Sequence, residues 1–179
     1  ALVQSTHRTV NVVTTNYDRV CEYAVDTAGL IHSTGFTPGI IQRREGADRI
    51  QVCRGRSQAR TVRIWKVHGS LDWFADQHGN ISSLPLSLNI DDELTPLIVT
   101  PGVSKFQRTY DEPFRSAIQG ADATLEQATA IIGIGYGFRD THIQPKLMER
   151  SKQMNVPVLV LAKELTTETK AFLTDNAGR

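Results

Sequence analysis

The chain has 179 residues, 40% of them hydrophobic and 22% charged, a composition that excludes a disordered or fibrous protein and suffices to bury a core. Its 20 Lys and Arg are balanced by 19 Asp and Glu and scattered along the chain, so direct nucleic-acid binding finds no support. No stretch approaches the roughly 20 apolar residues that span a bilayer, and residues 1–8 hold no secretory core, so a cytoplasmic protein without a membrane partner is expected.

The β-branched run Thr9 to Thr15, with Val10, Val12 and Val13, predicts a strand that ends at polar Asn16-Tyr17-Asp18. A strand so near an Ala at position 1 reads as part of a longer protein. Val20, Tyr23, Ala24, Thr27 and Ala28 then fall at helical spacing, and Gly29 stops the run. Residues 33–60, rich in glycine and charge, predict a small insertion or mobile subdomain with a strand only near Arg49 to Cys53. Thr61 to Val67 predicts a strand that runs into polar His68-Gly69-Ser70-Leu71-Asp72-Trp73. Asp76 to Thr95 reads as loop, Pro96 to Thr100 as a strand closed by Pro101-Gly102, and Glu112 to Ala128 as an amphipathic helix. Thr129 to Ile134 predicts a strand ending in the tight loop Gly135-Tyr136-Gly137, after which Asp140 or Thr141 caps a helix carrying Ile143, Leu147 and Met154. The aliphatic run Val156 to Ala162 predicts a strand buried on both faces, followed by a helix from 166 to 174 opened by Thr166 or Thr167. Strands alternating with helices argue for an α/β fold, a Rossmann-like open parallel sheet with helices on both faces.

Polar residues that follow the strands of such a sheet gather at one edge. Asn16, Asp18, His68, Ser70, Pro101-Gly102 and Gly135 to Gly137 are therefore expected around a common crevice. His68 carries an imidazole, the side chain best suited to proton transfer, although a lone histidine is more often structural, the role expected of His7, His32, His78 and His142. Asn16 and Asp18 also suit a simple turn, the glycine loop a tight strand-to-helix connection, Asp140 a helix cap, and Trp73 and Phe74 the core. Cys21 and Cys53 are too few for a disulfide framework or a four-thiolate zinc site and read as small buried hydrophobes or free thiols.

Three of these segments resemble motifs of the sirtuin-like family: Thr14-Thr15-Asn16-Tyr17-Asp18, Lys66-Val67-His68-Gly69-Ser70 and Ile132 to Asp140. The resemblance implies an NAD site. Within it His68 would be the general base, acting through the ribose hydroxyls or a water, and Asn16 would position the ribose and the nucleophile. Asp18 would accept from the nicotinamide carboxamide, Thr15 would shape the pocket, and Gly135, Tyr136 and Gly137 would approach the adenosine ribose and phosphates.

Nothing from His68 onward is Cys, so the zinc module of protein-deacylating sirtuins, and any metal, is not expected. Gly137 stands where many relatives carry Ser. The first strand and glycine-rich loop of the family, expected before Asn16, are not found in the chain. The closest resemblance is to the zinc-free, NAD-hydrolysing sirtuin-like domains of bacterial antiphage defence, to which Thr100-Pro101 and Lys105-Phe106 also conform. It implies an NAD glycohydrolase that works as a homo-oligomer or with a partner ATPase or phage-sensing protein. An NAD-dependent deacylase or ADP-ribosyltransferase, and a non-catalytic module that senses NAD or ADP-ribose, are the alternatives.

Overall fold

A computed structural model of the chain describes residues 7–46, 50–85, 89–100, 111–140, 143–154 and 156–176. It divides into two compact units, residues 1–120 and 121–179.

In the first unit, β1 (Thr9–Thr14), β6 (Thr61–Lys66) and β2 (Ile31–Ser33) form a parallel sheet in the order β1-β6-β2. The register runs from Thr9 opposite Thr61 to Thr14 opposite Lys66, so the two longer strands end level with each other. Helix α1 (Val20–Thr27) connects β1 to β2 and closes at Gly29, whose φ of +68° suits a glycine terminator. Its predicted apolar stripe faces outward: Val20 and Tyr23 are exposed, and Glu22 is the buried residue of the helix.

A second, mostly antiparallel layer departs from the sequence reading. The polar segment that starts at His68 is no loop, because after a turn at Val67-His68 the chain enters β7 (Gly69–Ala75). β7 is one of the two inner strands of a sheet ordered β3 (Gln42–Arg43), β8 (Ile81–Ser83), β7, β9 (Thr95–Ile98). Trp73 and Phe74 are buried there as expected, while β8 lies within the stretch read as loop. Pro96 is tolerated because β9 is an edge strand. The strand expected near Arg49 to Cys53 is instead a hairpin of β4 (Cys53–Arg54) and β5 (Ser57–Gln58), and residues 47–49 lie outside the described ones.

Arg44 ties residues 33–46 to this layer. Its guanidinium lies over Phe36 and Trp73, 5.2 and 5.7 Å from the ring centroids, and donates to the Thr34 carbonyl at 2.9 Å and to Ser116 Oγ at 2.7 Å. Ser116 belongs to α2 (Phe114–Glu126), whose predicted stripe is buried at Phe114, Ala117, Ala121 and Leu125. A Cβ at Gly120 would overlap the Trp65 ring, so glycine there lets the helix approach β6 closely.

In the second unit β10 (Ile131–Ile134) pairs in parallel with β11 (Val158–Leu161). Helix α3 (Gln144–Met154) is capped by Asp140, whose Oδ1 accepts from the Ile143 N–H at 3.1 Å; α4 (Thr167–Asn176) is capped by Thr166, which accepts from Thr169 N at 3.1 Å. Phe138, Leu147 and Phe172 form the core, with Ile131, Val158 and Val160 packed against them. β11 is buried on one face only, since Leu159 and Leu161 are exposed. The mixed α/β architecture, with parallel strands and four helices among the described residues, is of Rossmann type.

Candidate functional site

Because β1 and β6 are parallel neighbours ending level, the loop Thr15 to Arg19 and the turn Val67-His68 leave the same edge of the sheet. The Val67 N–H donates to the Thr14 carbonyl at 3.2 Å, and the Leu71 N–H to the Tyr17 carbonyl at 3.0 Å. Val99, just beyond β9, joins both segments: its N–H donates to the His68 carbonyl at 3.0 Å, and its carbonyl accepts the Tyr17 hydroxyl at 2.7 Å. The strand-end rule of parallel sheets thus brings Asn16, Asp18 and His68 to one edge, 52 positions apart at the extremes.

His68 is only 6% exposed, and the residue after it explains its placement. Gly69 has φ +85°, and a Cβ there would overlap the Leu97 carbonyl oxygen and come within 2.9 Å of Phe114 Cε1. Only glycine lets the chain turn at once from β6 into β7. Asn16 is exposed, its N–H held at 3.1 Å by Thr14 Oγ1, and Thr15 is half-buried. Asp18 does act as a turn former, as its bland reading anticipates: Oδ1 accepts from the Val20 N–H at 3.0 Å. Its Oδ2 remains a second acceptor position. An imidazole, a carboxamide and a carboxylate at one edge can move a proton and hydrogen-bond a polar ligand.

Asp72, Arg19 and Glu22, which lie in none of the motifs, and Lys66, which opens the second, hold this edge together. Asp72, 3% exposed, accepts from Ser70 Oγ, accepts from Ser83 Oγ at 2.7 Å and pairs with Arg19 Nε at 3.5 Å. Lys66 donates to the Asp18 carbonyl and to Glu22 Oε1 at 3.0 Å. A charged residue in the apolar strand Thr61–Lys66 was the available signal for Lys66; Asp72 and Glu22 gave none.

Gly135, Tyr136 and Gly137 lie in the second unit. Gly135 has φ +62°, and the Gly137 carbonyl accepts Thr166 Oγ1 at 2.8 Å. Phe138 follows in a left-handed conformation, φ 56°, fully buried and stacked on Phe172 with centroids 4.5 Å apart. Burial pushes the Tyr136 phenol well above its ordinary range, with the Asp140 charge adding to the shift. Among the other histidines, His32 Nδ1 pairs with Asp26 at 2.7 Å and the His78 backbone N–H donates to Asp76 Oδ1 at 2.9 Å. The motif positions Pro101-Gly102 and Lys105-Phe106, and His142, lie outside the described residues.

Cys21 is half-buried and Cys53 exposed, both free thiols, so neither is the small buried hydrophobe offered as an alternative. Among the described residues no group of three His, Cys, Asp or Glu is placed to hold a metal ion, and no helix is long and apolar enough to cross a membrane.

Parallel strands with polar loops at a shared edge place this protein in the class of open α/β folds, in which ligands bind at the carboxyl ends of the strands. The comparison with family models is more particular: the SIR2-like domain matches residues 10–175. The chain therefore belongs to the SIR2-like, or sirtuin-like, family, whose members use NAD. No curated protein matches it.

Proposed function

We propose that the chain is an NAD glycohydrolase that releases nicotinamide and ADP-ribose, serving antiphage defence by depleting NAD. The observation that carries this reading is the level ending of β1 and β6, cross-linked through Tyr17, Val99 and His68. Cleavage of the bond between ribose C1′ and the pyridinium nitrogen develops oxocarbenium character. It gains from fixed dipoles in a site from which water is excluded.

In this reading His68 takes a proton from a ribose hydroxyl or from water, and its low exposure suits a dry site. Asn16 orients the ribose and the attacking water. Asp18 accepts from the carboxamide through the oxygen not engaged by Val20, and Thr15 borders the ring. Gly135, Tyr136 and Gly137 are proposed for the adenosine ribose and phosphates, with no metal required. A homo-oligomer, or a complex with an ATPase or a phage-sensing protein, is the proposed working form, and the cytoplasm the proposed site of action.

The test is consumption of NAD by purified protein, followed by nicotinamide release. His68→Ala and Asn16→Ala are each expected to lower turnover by about 100-fold or more. Unchanged turnover in both variants rejects the assignment. NAD loss that needs an acylated peptide moves the reaction to deacylation, and label transferred to protein moves it to ADP-ribosylation.

A further inference from the structure

The candidate site is underlain by an ion pair whose position stability does not explain. Lys66 is 0% exposed and Glu22 is 3% exposed, one on the strand that leads into His68 and the other on the helix that follows Asp18. Removing two charges from water is costly, and an apolar pair of similar volume is often as stable or more so. The pair is also imperfectly satisfied, because Glu22 Oε2 is buried without a hydrogen-bond partner among the described residues. What the ammonium adds is a specific contact, since Lys66 Nζ donates both to Glu22 Oε1 and to the backbone carbonyl of Asp18. An aliphatic side chain would fill the space and leave that carbonyl unheld.

We propose that Lys66 and Glu22 are positioning residues that fix the Asp18 peptide, and through it the Asp18 carboxylate, for recognition of the nicotinamide carboxamide. The inference rests on the NAD reading of the site and deepens it. Neither residue touches the ligand. Glu22 holds the ammonium, the ammonium holds the carbonyl, and the carboxylate one bond system away is oriented as a result. The effect is directional: nicotinamide recognition depends on the pair, and recognition of the ADP-ribose portion does not.

The experiment uses the full chain with two variants, Lys66→Met/Glu22→Leu and the milder Glu22→Gln. The dissociation constants of nicotinamide and of ADP-ribose are measured by ligand-observed NMR, together with NAD turnover and the melting temperature. The expected result is a folded double variant with a melting temperature no lower than that of the parent. Its nicotinamide affinity and NAD turnover should be weakened about tenfold or more, with ADP-ribose affinity retained. Glu22→Gln should shift in the same direction and decides the matter where the double variant does not fold. Parent-like nicotinamide affinity in a folded variant overturns the proposal, as does an equal loss for both ligands, the mark of a general loosening. His68→Ala run in parallel separates the two ideas. If it abolishes turnover while the pair variants behave as the parent, only the positioning role falls. If it and Asn16→Ala leave turnover unchanged, the NAD reading falls and takes the positioning role with it.

Discussion

Gly69 carries two separate demands, a left-handed φ of +85° and a backbone carbonyl, that of Leu97, where a Cβ would stand. Gly69→Ala is therefore expected to destabilise the protein by at least about 2 kcal/mol, read from urea unfolding. Gly137 is the control, because a Cβ there meets only Thr166 Cγ2 at an ordinary 3.5 Å. Gly137→Ala should stay within about 1 kcal/mol of the parent, so any change in NAD turnover reports on the ligand and not on folding. At this scale the sequence marked residues that the fold places at one sheet edge and was silent about what holds them there. His68 and Gly69 stand out as a pair, but the obstacle that forbids a side chain is a carbonyl 28 positions away. No local pattern encodes that encounter. Val99 was equally hidden, since it contributes only its backbone amide and carbonyl, which every residue except proline possesses.

The elements around the site are fastened by polar contacts as much as by apolar ones. Asp72 on β7 engages Ser83 at the end of β8 and Arg19 in the loop before α1, and accepts from Ser70 on its own strand. Asp72→Ala would leave the buried Ser70 and Ser83 hydroxyls without their acceptor, and a loss of about 1–3 kcal/mol is expected in chemical unfolding. Asp72→Asn keeps an acceptor and should lose less. Helix α2 was legible in the sequence because its apolar stripe, from Phe114 to Leu125, is the face it buries. Helix α1 was legible as a helix but not in its orientation, since its stripe faces outward and a carboxylate faces inward. The antiparallel layer escaped for a different reason. Strands such as Ile81–Ser83 and Gln42–Arg43 are too short for alternation to emerge; the first pairs with β7, which itself reads as a polar run, and the second pairs with the first.

For the whole molecule, the charge pattern predicts a loss of stability at each end of the pH range. Asp76 lies below the ordinary carboxylate range because the Asn80 side chain donates to it, and Glu126 does so because Lys146 donates to it. Glu168 is lowered by its own backbone N–H and then by Arg139. Depressed carboxylates stabilise the fold above their unfolded values and lose that contribution as pH falls through the folded ones, so stability should decline below about pH 4. Cys21, Tyr136 and Lys146 are shifted upward from ordinary values of 9.0, 10.0 and 10.5, so the stability they favour is present below those values and declines as pH rises past about 9. Thermal melts across pH should show both declines; melts unchanged at either extreme would contradict the assignment.

The parallel sheets were legible because aliphatic runs alternate with helical ones, and the family because three short motifs keep their order. The grip of Arg44 was not, since it depends on aromatic rings brought together from residues 36 and 73. That grip sets a limit on minimisation of the scaffold. Trimming the excursion between residues 33 and 46 in search of a leaner domain would unroof Trp73, wet its indole, and slacken the platform on which the neighbouring turn is built.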